Sequence, residues 1–199
     1  LAYYNRGIIY YELKEYKQAL NDYSNAINIK PDLAQAYNQR GNTYKKFKMY
    51  KQALDDYSKA IEIQPNLALP YNNRGLTYYE SKEYQKAIGD YTKAIEIEPN
   101  YAKAYNNRGF TYQKLKEYQK AIADYTKAIE IEPDLVQAYG NRGMIYVILK
   151  EYQKAIADLQ KAADLFYQQG NIEGYQRVQE LIQFLKQQLQ TNPQTVPKN

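Results

Sequence analysis

Apolar and small residues along this chain return at spacings of three and four, and the whole pattern then returns every 34 residues. In one copy, Tyr37, Gly41 and Tyr44 mark one stripe, and Ala53, Tyr57 and Ala60 mark a second, with polar residues between them. These spacings predict two amphipathic helices, the first from about Leu33 to Lys48 and the second from about Lys51 to Gln64. Gly7, Gly41, Gly75, Gly109 and Gly143 keep the same period, as do Ala19, Ala53, Ala87, Ala121 and Ala155, and Pro31, Pro65, Pro99 and Pro133. The small residues let paired helices approach closely, and the tyrosines fill the space around them. Pro31 stops one helix, and Asp32 can cap the next; Asn66, Asn100 and Asp134 hold the matching places. Pro70 breaks the pattern. It lies inside the first helix of the third copy, forfeits a backbone hydrogen bond there, and predicts a helix that starts late or kinks.

The fifth copy ends differently. Where a proline and a new first helix should come, the chain reads "LFYQQGNIEGYQRVQELIQFLKQQLQ". Gly170 can end a helix and Asn171 can cap the next. Ile172, Tyr175, Val178, Ile182, Leu185 and Leu189 then follow at helical spacing, which predicts a final helix that covers the open apolar end of the array. The reading is therefore five repeats, at about residues 1–31, 32–65, 66–99, 100–133 and 134–166, a capping helix over 167–190, and a polar tail over 191–199 that is extended or mobile.

The order Tyr37, Gly41, Tyr44, Ala53, Tyr57, Ala60, Pro65 resembles the signature of the tetratricopeptide repeat family, and the resemblance runs from Leu1 to about Phe166. Two positions depart from it: Tyr stands for the family's Trp and Phe, and Arg stands for the usual Leu before the glycine. The resemblance implies an all-α, right-handed superhelical α-solenoid of helix-turn-helix repeats, with the first helix of each repeat lining a concave surface. It also implies an adaptor for protein partners rather than an enzyme.

The arginines recur as Arg6, Arg40, Arg74, Arg108 and Arg142. At about 100° per residue, Arg40 falls about 60° to one side of Tyr37, at the seam with the second helix. An aspartate precedes the aromatic position of every second helix: Asp22, Asp56, Asp90, Asp124 and, before Leu159, Asp158. Equal periods predict a ladder of charge-assisted Arg–Asp pairs, because an unpaired guanidinium at such a seam is costly.

The residue before each arginine is Asn5, Gln39, Asn73, Asn107 or Asn141. On the same wheel it falls about 160° from the buried stripe. In the solenoid that the resemblance implies, these carboxamides form a row along the groove. An amide has both donor and acceptor, which suits it to a peptide backbone. Asn42, Leu76 and Phe110, with Ile8 and Met144, follow the glycines, and Tyr79 joins Leu76 and Phe110 as a candidate exposed apolar pocket. Lys45, Lys46, Lys103 and Lys114 add positive charge near the groove, opposed by Glu12 and Glu80. Some members of the family grip a C-terminal carboxylate with a Lys, Asn, Lys and Arg clamp. Asn42, Asn73 and Lys103 match three of those positions, but Asn38 stands where the clamp has Lys and Asn107 where it has Arg. One cation in place of two argues against an acidic tail as ligand.

Composition removes most other functions. The chain has no Cys and no His, so the usual zinc sites and nucleophile–base pairs are excluded, and no residue pattern calls for a metal or cofactor. Net charge is +5, carried by lysines spread along the chain, which reads as solvated surface rather than a nucleic-acid footprint. No apolar run is long enough for membrane insertion. The chain opens inside a repeat and reads as an excised piece; the cytoplasm fits it best. The expected partner is an extended segment of another protein, held in the groove. A structural spacer or self-association module is the alternative.

Overall fold

The computed structural model describes residues 1–191; the expected polar tail lies, from residue 192 onward, outside the described residues. Eleven helices and no strand occur among them. Ten form helix-turn-helix pairs: α1 (Ala2–Glu12) with α2 (Tyr16–Ile29), α3 (Ala34–Lys46) with α4 (Tyr50–Ile63), α5 (Ala68–Glu80) with α6 (Tyr84–Ile97), α7 (Ala102–Lys114) with α8 (Tyr118–Ile131), and α9 (Val136–Ile148) with α10 (Tyr152–Gln168). The last, α11 (Ile172–Thr191), stands alone. The chain divides into two compact units, the first of α1 to α6 and the second of α7 to α11, with the division after Pro99.

Each pair closes on one contact. A Cβ placed on Gly41 would lie 2.8 Å from Cε1 of Tyr57, so only glycine lets the α3 backbone rest on that ring. Gly7 and Gly75 meet Tyr23 and Tyr91 in the same way. The rings of Tyr23, Tyr57, Tyr91 and Tyr125 are fully buried, among alanines that are equally buried. A buried phenol needs a hydrogen-bond partner. Tyr57 donates to Oδ1 of Asn42 at 2.8 Å, and Tyr125 donates to Oε1 of Gln113 at 2.9 Å. Tyr23 finds none: Ile8 stands where the second repeat has Asn42, and Tyr11 where the fourth has Gln113.

The arginine ladder forms in full. Arg40 donates through Nε and Nη2 to both oxygens of Asp56, at 2.8 and 2.7 Å. Arg6–Asp22, Arg74–Asp90, Arg108–Asp124 and Arg142–Asp158 repeat this fork. A third contact was not expected. Nη1 of Arg40 donates to Oγ of Ser24 on the second helix of the preceding repeat, Arg74 does the same to Ser58, and Arg142 to Thr126. Each of these arginines thus ties its own pair together and ties that pair to the one before. The guanidinium of Arg40 also lies 5.5 Å from the ring centroid of Tyr37.

Within each unit, every second helix packs on the first helix of the next repeat, and successive first helices touch: α1 with α3, α3 with α5, and α7 with α9. No pair of second helices comes together to that extent among the described residues. The first helices are therefore drawn together along one side of each unit.

Two local expectations are corrected. Asp32 is not a side-chain cap: Leu33, Leu67, Tyr101 and Leu135 are the N-cap residues, and none makes a side-chain cap bond. The turn after Pro31 is closed by backbone bonds instead, Leu33 N–H to Lys30 C=O and Ala34 N–H to Asp32 C=O. Pro70 neither delays nor shortens its helix, since α5 has the 13 residues of α3 and α7. With Leu67 as cap, Pro70 is the third helical residue, where the N–H has no intrahelical α-type partner to lose. At the other end the turn forms at the expected Gly170 and Asn171, but α10 runs on to Gln168 and the last helix begins at Ile172 rather than 167. Gly170 adopts φ +72°, and Oδ1 of Asn171 accepts the N–H of Gly174 at 2.9 Å. Ile182 and Leu185 of α11 then bury against Ala155 and Leu159.

The turn between the helices of each pair places a lysine in the left-handed region: Lys14, Lys48, Lys82, Lys116 and Lys150 have φ between 57° and 63°. A Cβ there is strained by about 1–2 kcal/mol. Lys48→Gly should therefore raise the urea midpoint and Lys48→Ile should lower it. Arg74→Leu leaves Asp90 buried without its cation and should cost about 3–5 kcal/mol. Arg6→Leu should lower the melting temperature less, because Arg6 is 54% exposed and makes no bond to a second helix other than its own pair's among the described residues, although Asp22 is buried as well. Thermal melts of the two variants check the difference.

Candidate functional site

With the glycine set against a tyrosine, or against Leu159 in the fifth pair, and the arginine clamped to an aspartate, the rotation of each first helix is fixed. Of the carboxamides before the arginines, Asn73 and Asn141 bond across to a neighbouring first helix. In the first unit Asn5 is exposed, Gln39 half-buried and Asn73 buried; in the second, Asn107 and Asn141 are half-buried. Three of them join networks that cross between first helices. Nδ2 of Asn73 donates across from α5 to Oδ1 of Asn38 on α3, at 3.0 Å. Nδ2 of Asn38 donates at 3.4 Å to Oε1 of Gln39, which also accepts from Asn42 at 2.8 Å. Asn42 in turn accepts from Tyr57. The second unit repeats the crossing bond, Asn141 to Asn106 at 3.3 Å. Below the row, Thr43, Thr77 and Thr111 are fully buried and donate back to the carbonyls of Gln39, Asn73 and Asn107.

This network leaves a directed remainder. The Oε1 of Gln39 accepts two bonds, and its Nε2 makes none among the described residues. Gln39 also borders a depression of about 220 Å³ where α1, α3 and the start of α5 converge. Its apolar walls are Tyr4, Leu67, Leu69 and Pro70; its polar rim is Gln35, Asn38 and Gln39. No charged side chain lines it.

The remaining candidates are dispersed. Leu76, Tyr79 and Phe110 are half-buried rather than exposed, which corrects the expectation of an open apolar pocket there. Tyr79 packs on Tyr84, with ring centroids 5.5 Å apart, and Phe110 joins the core of the second unit with Lys114 over its ring. Lys103 is exposed on α7. The sequence reading passed over Tyr4, Leu67 and Leu69, and flagged Pro70 only as a helix breaker.

Among the described residues no cluster of His, Cys, Asp or Glu is arranged to hold a metal, and no helix is long and apolar enough to cross a membrane.

One charge on this side is poorly served. Nζ of Lys45 on α3 stands 3.7 Å from Oε1 of Glu80 on α5. Burial lowers its pKa below the usual 10.5, and Glu80 offsets this only in part. A lysine depressed in the folded state costs stability below its folded pKa, and the cost fades as pH rises through that value and is gone above the unfolded one. Lys45→Met should thus raise the melting temperature at pH 7, and the gain should shrink as pH rises toward 10.5, as calorimetry across that range would read.

Three family models match the chain: tetratricopeptide repeat over residues 34–67 and 102–135, TPR repeat over 7–46 and 77–116, and a further tetratricopeptide repeat model over 57–89 and 124–157. Among curated proteins, none matches in sequence. Among solved structures the chain is similar to MamA, at 24% identity and a TM-score of 0.74, over 83% of this chain and 96% of that one. It is similar to YrrB, described as a TPR protein with an unusual peptide-binding site, at 23% identity and a TM-score of 0.67, over 89% of this chain and 90% of that one. It is also similar to the first TPR of Spaghetti (RPAP3) bound to the HSP90 peptide SRMEEVD, at 29% identity and a TM-score of 0.57, over 58% of this chain and 92% of that one. The matched segments run without a gap from residue 7 to residue 157, and the chain belongs to the tetratricopeptide repeat family.

Proposed function

We propose that this chain is a protein-interaction scaffold that binds an extended segment of a partner along the side where its first helices meet. The observation that carries this reading is the interlocked carboxamide row. Its members hold one another in place before any ligand arrives, so binding need order only the ligand. What the row leaves over, such as the N–H donors of Gln39, matches the acceptors of a peptide backbone. Two similar structures are described by their peptides or peptide sites, which supports the same use of this fold. An acidic tail such as SRMEEVD is not the ligand expected here. The place where a carboxylate clamp has lysine holds Asn38, which is buried and bonded to Asn73.

The test is a random-peptide library selected on the intact chain, followed by titration of a selected peptide. Asn73→Ala combined with Asn107→Ala should weaken binding about tenfold or more, since each lost bond is worth about 1 kcal/mol, while helicity by circular dichroism stays unchanged. Equal affinity in the double variant would remove the carboxamides from the mechanism.

A further inference from the structure

Repetition makes departures from it conspicuous, and two of them meet in one place. At the position that holds Asn38, Asn72 and Asn106 in the middle repeats, the first repeat has Tyr4. At the position of Ala36, Ala104 and Ala138, the third repeat has Pro70, and beside it Leu69 replaces Gln35, Lys103 and Gln137. Tyr4 and the Leu69–Pro70 pair are remote in sequence, yet they wall the same depression between α1, α3 and α5. Leu69 remains 50% exposed there, an apolar side chain turned to water where three other repeats place a polar one.

We infer that this depression is the specificity pocket of the scaffold, and that it takes a single uncharged apolar side chain, leucine- to phenylalanine-sized, from an extended peptide. The inference rests on the peptide-binding reading above and adds which peptide. Three observations fix the occupant. The volume, about 220 Å³, exceeds the roughly 150 Å³ that suffices for a benzene ring. The lining carries no formal charge, so an acidic or basic side chain entering it would lose its hydration with nothing in exchange. Gln39 lies on the rim with side-chain N–H groups that make no bond among the described residues, a donor for the carbonyl of the residue whose side chain is buried. A neutral, apolar residue flanked by ordinary backbone satisfies all three; a terminal carboxylate fails the second.

The same library, selected on the intact chain and on two variants, tests this. Wild type should enrich peptides with one apolar position. Leu69→Asp should bind a selected peptide about tenfold or more weakly, the effect of returning a leucine-sized side chain to water. Leu69→Lys should turn the enrichment at that position toward Asp or Glu, a change that mere loss of packing cannot produce. Both variants alter a half-exposed residue, and circular dichroism confirms that each is folded. Enriched peptides that lack an apolar position, or that bind Leu69→Asp as well as wild type, would overturn the pocket and leave the scaffold reading standing. No enrichment on wild type would overturn both. A rise in mass with concentration that Leu69→Asp abolishes would make a second copy the occupant and overturn the peptide assignment.

Discussion

A guanidinium held at the seam between two helices is the constraint on which the rest of this molecule depends. A buried ion pair contributes little net stability, because the desolvation of both partners offsets much of their attraction. Its geometric consequence is larger. The planar fork of Arg40 meets both oxygens of Asp56 at only one rotation of α3 against α4. The same group reaches Ser24 and so carries that rotation into the preceding repeat. A leucine at this position would bury as much apolar surface and tolerate sliding. The arginine does not, and the direction of every side chain on α3, including Gln39, follows from it.

The buried tyrosines impose a second demand. A phenol set in the core between paired helices must find an acceptor, and Asn42 and Gln113 supply one from the first helices. Asn42 then uses its remaining N–H on Gln39, which orients that amide too. Core packing and the polar face are thus one hydrogen-bond network, running from Tyr57 through Asn42 and Gln39 to Asn38 and Asn73. In the first repeat Ile8 interrupts it, and the hydroxyl of Tyr23 is left unsatisfied. The carboxamides proposed to face a ligand are a subset of the groups that hold the repeats together, and they are stiff for that reason.

The periodicity made the fold legible, down to helix ends within two residues: Leu33 to Lys48 was read where Ala34–Lys46 is found. It made the Arg–Asp pairs legible as well, since both partners share the period. The hydroxyl of Ser24 escaped notice because its partner sits on the next repeat, and a wheel drawn for one helix contains no neighbour. The crossing bond from Asn73 to Asn38 was hidden for the same reason. Asp32 misled because a capping residue type lay one position outside the true cap, Leu33, in a turn already closed by backbone bonds. Pro70 misled because the helix begins close enough to it that its missing N–H is never needed. Tyr4, Leu67 and Leu69 were invisible to a search for what recurs, since the first and last of the pocket's distinguishing features are exceptions.

That division between the repeated and the exceptional has a physical basis. Helices in contact lie about 8–10 Å apart, whereas an extended chain advances about 3.3 Å per residue. One carboxamide per repeat therefore meets roughly every third residue of a ligand lying across the first helices, and meets only its backbone, which is the same at every residue. Such a row cannot distinguish one register from the next: shifting the ligand by three residues restores every bond. A repeated surface supplies adhesion without position. Position requires a feature that occurs once, and the pocket proposed above, whose walls Tyr4, Leu69 and Pro70 depart from the repeat, would supply it.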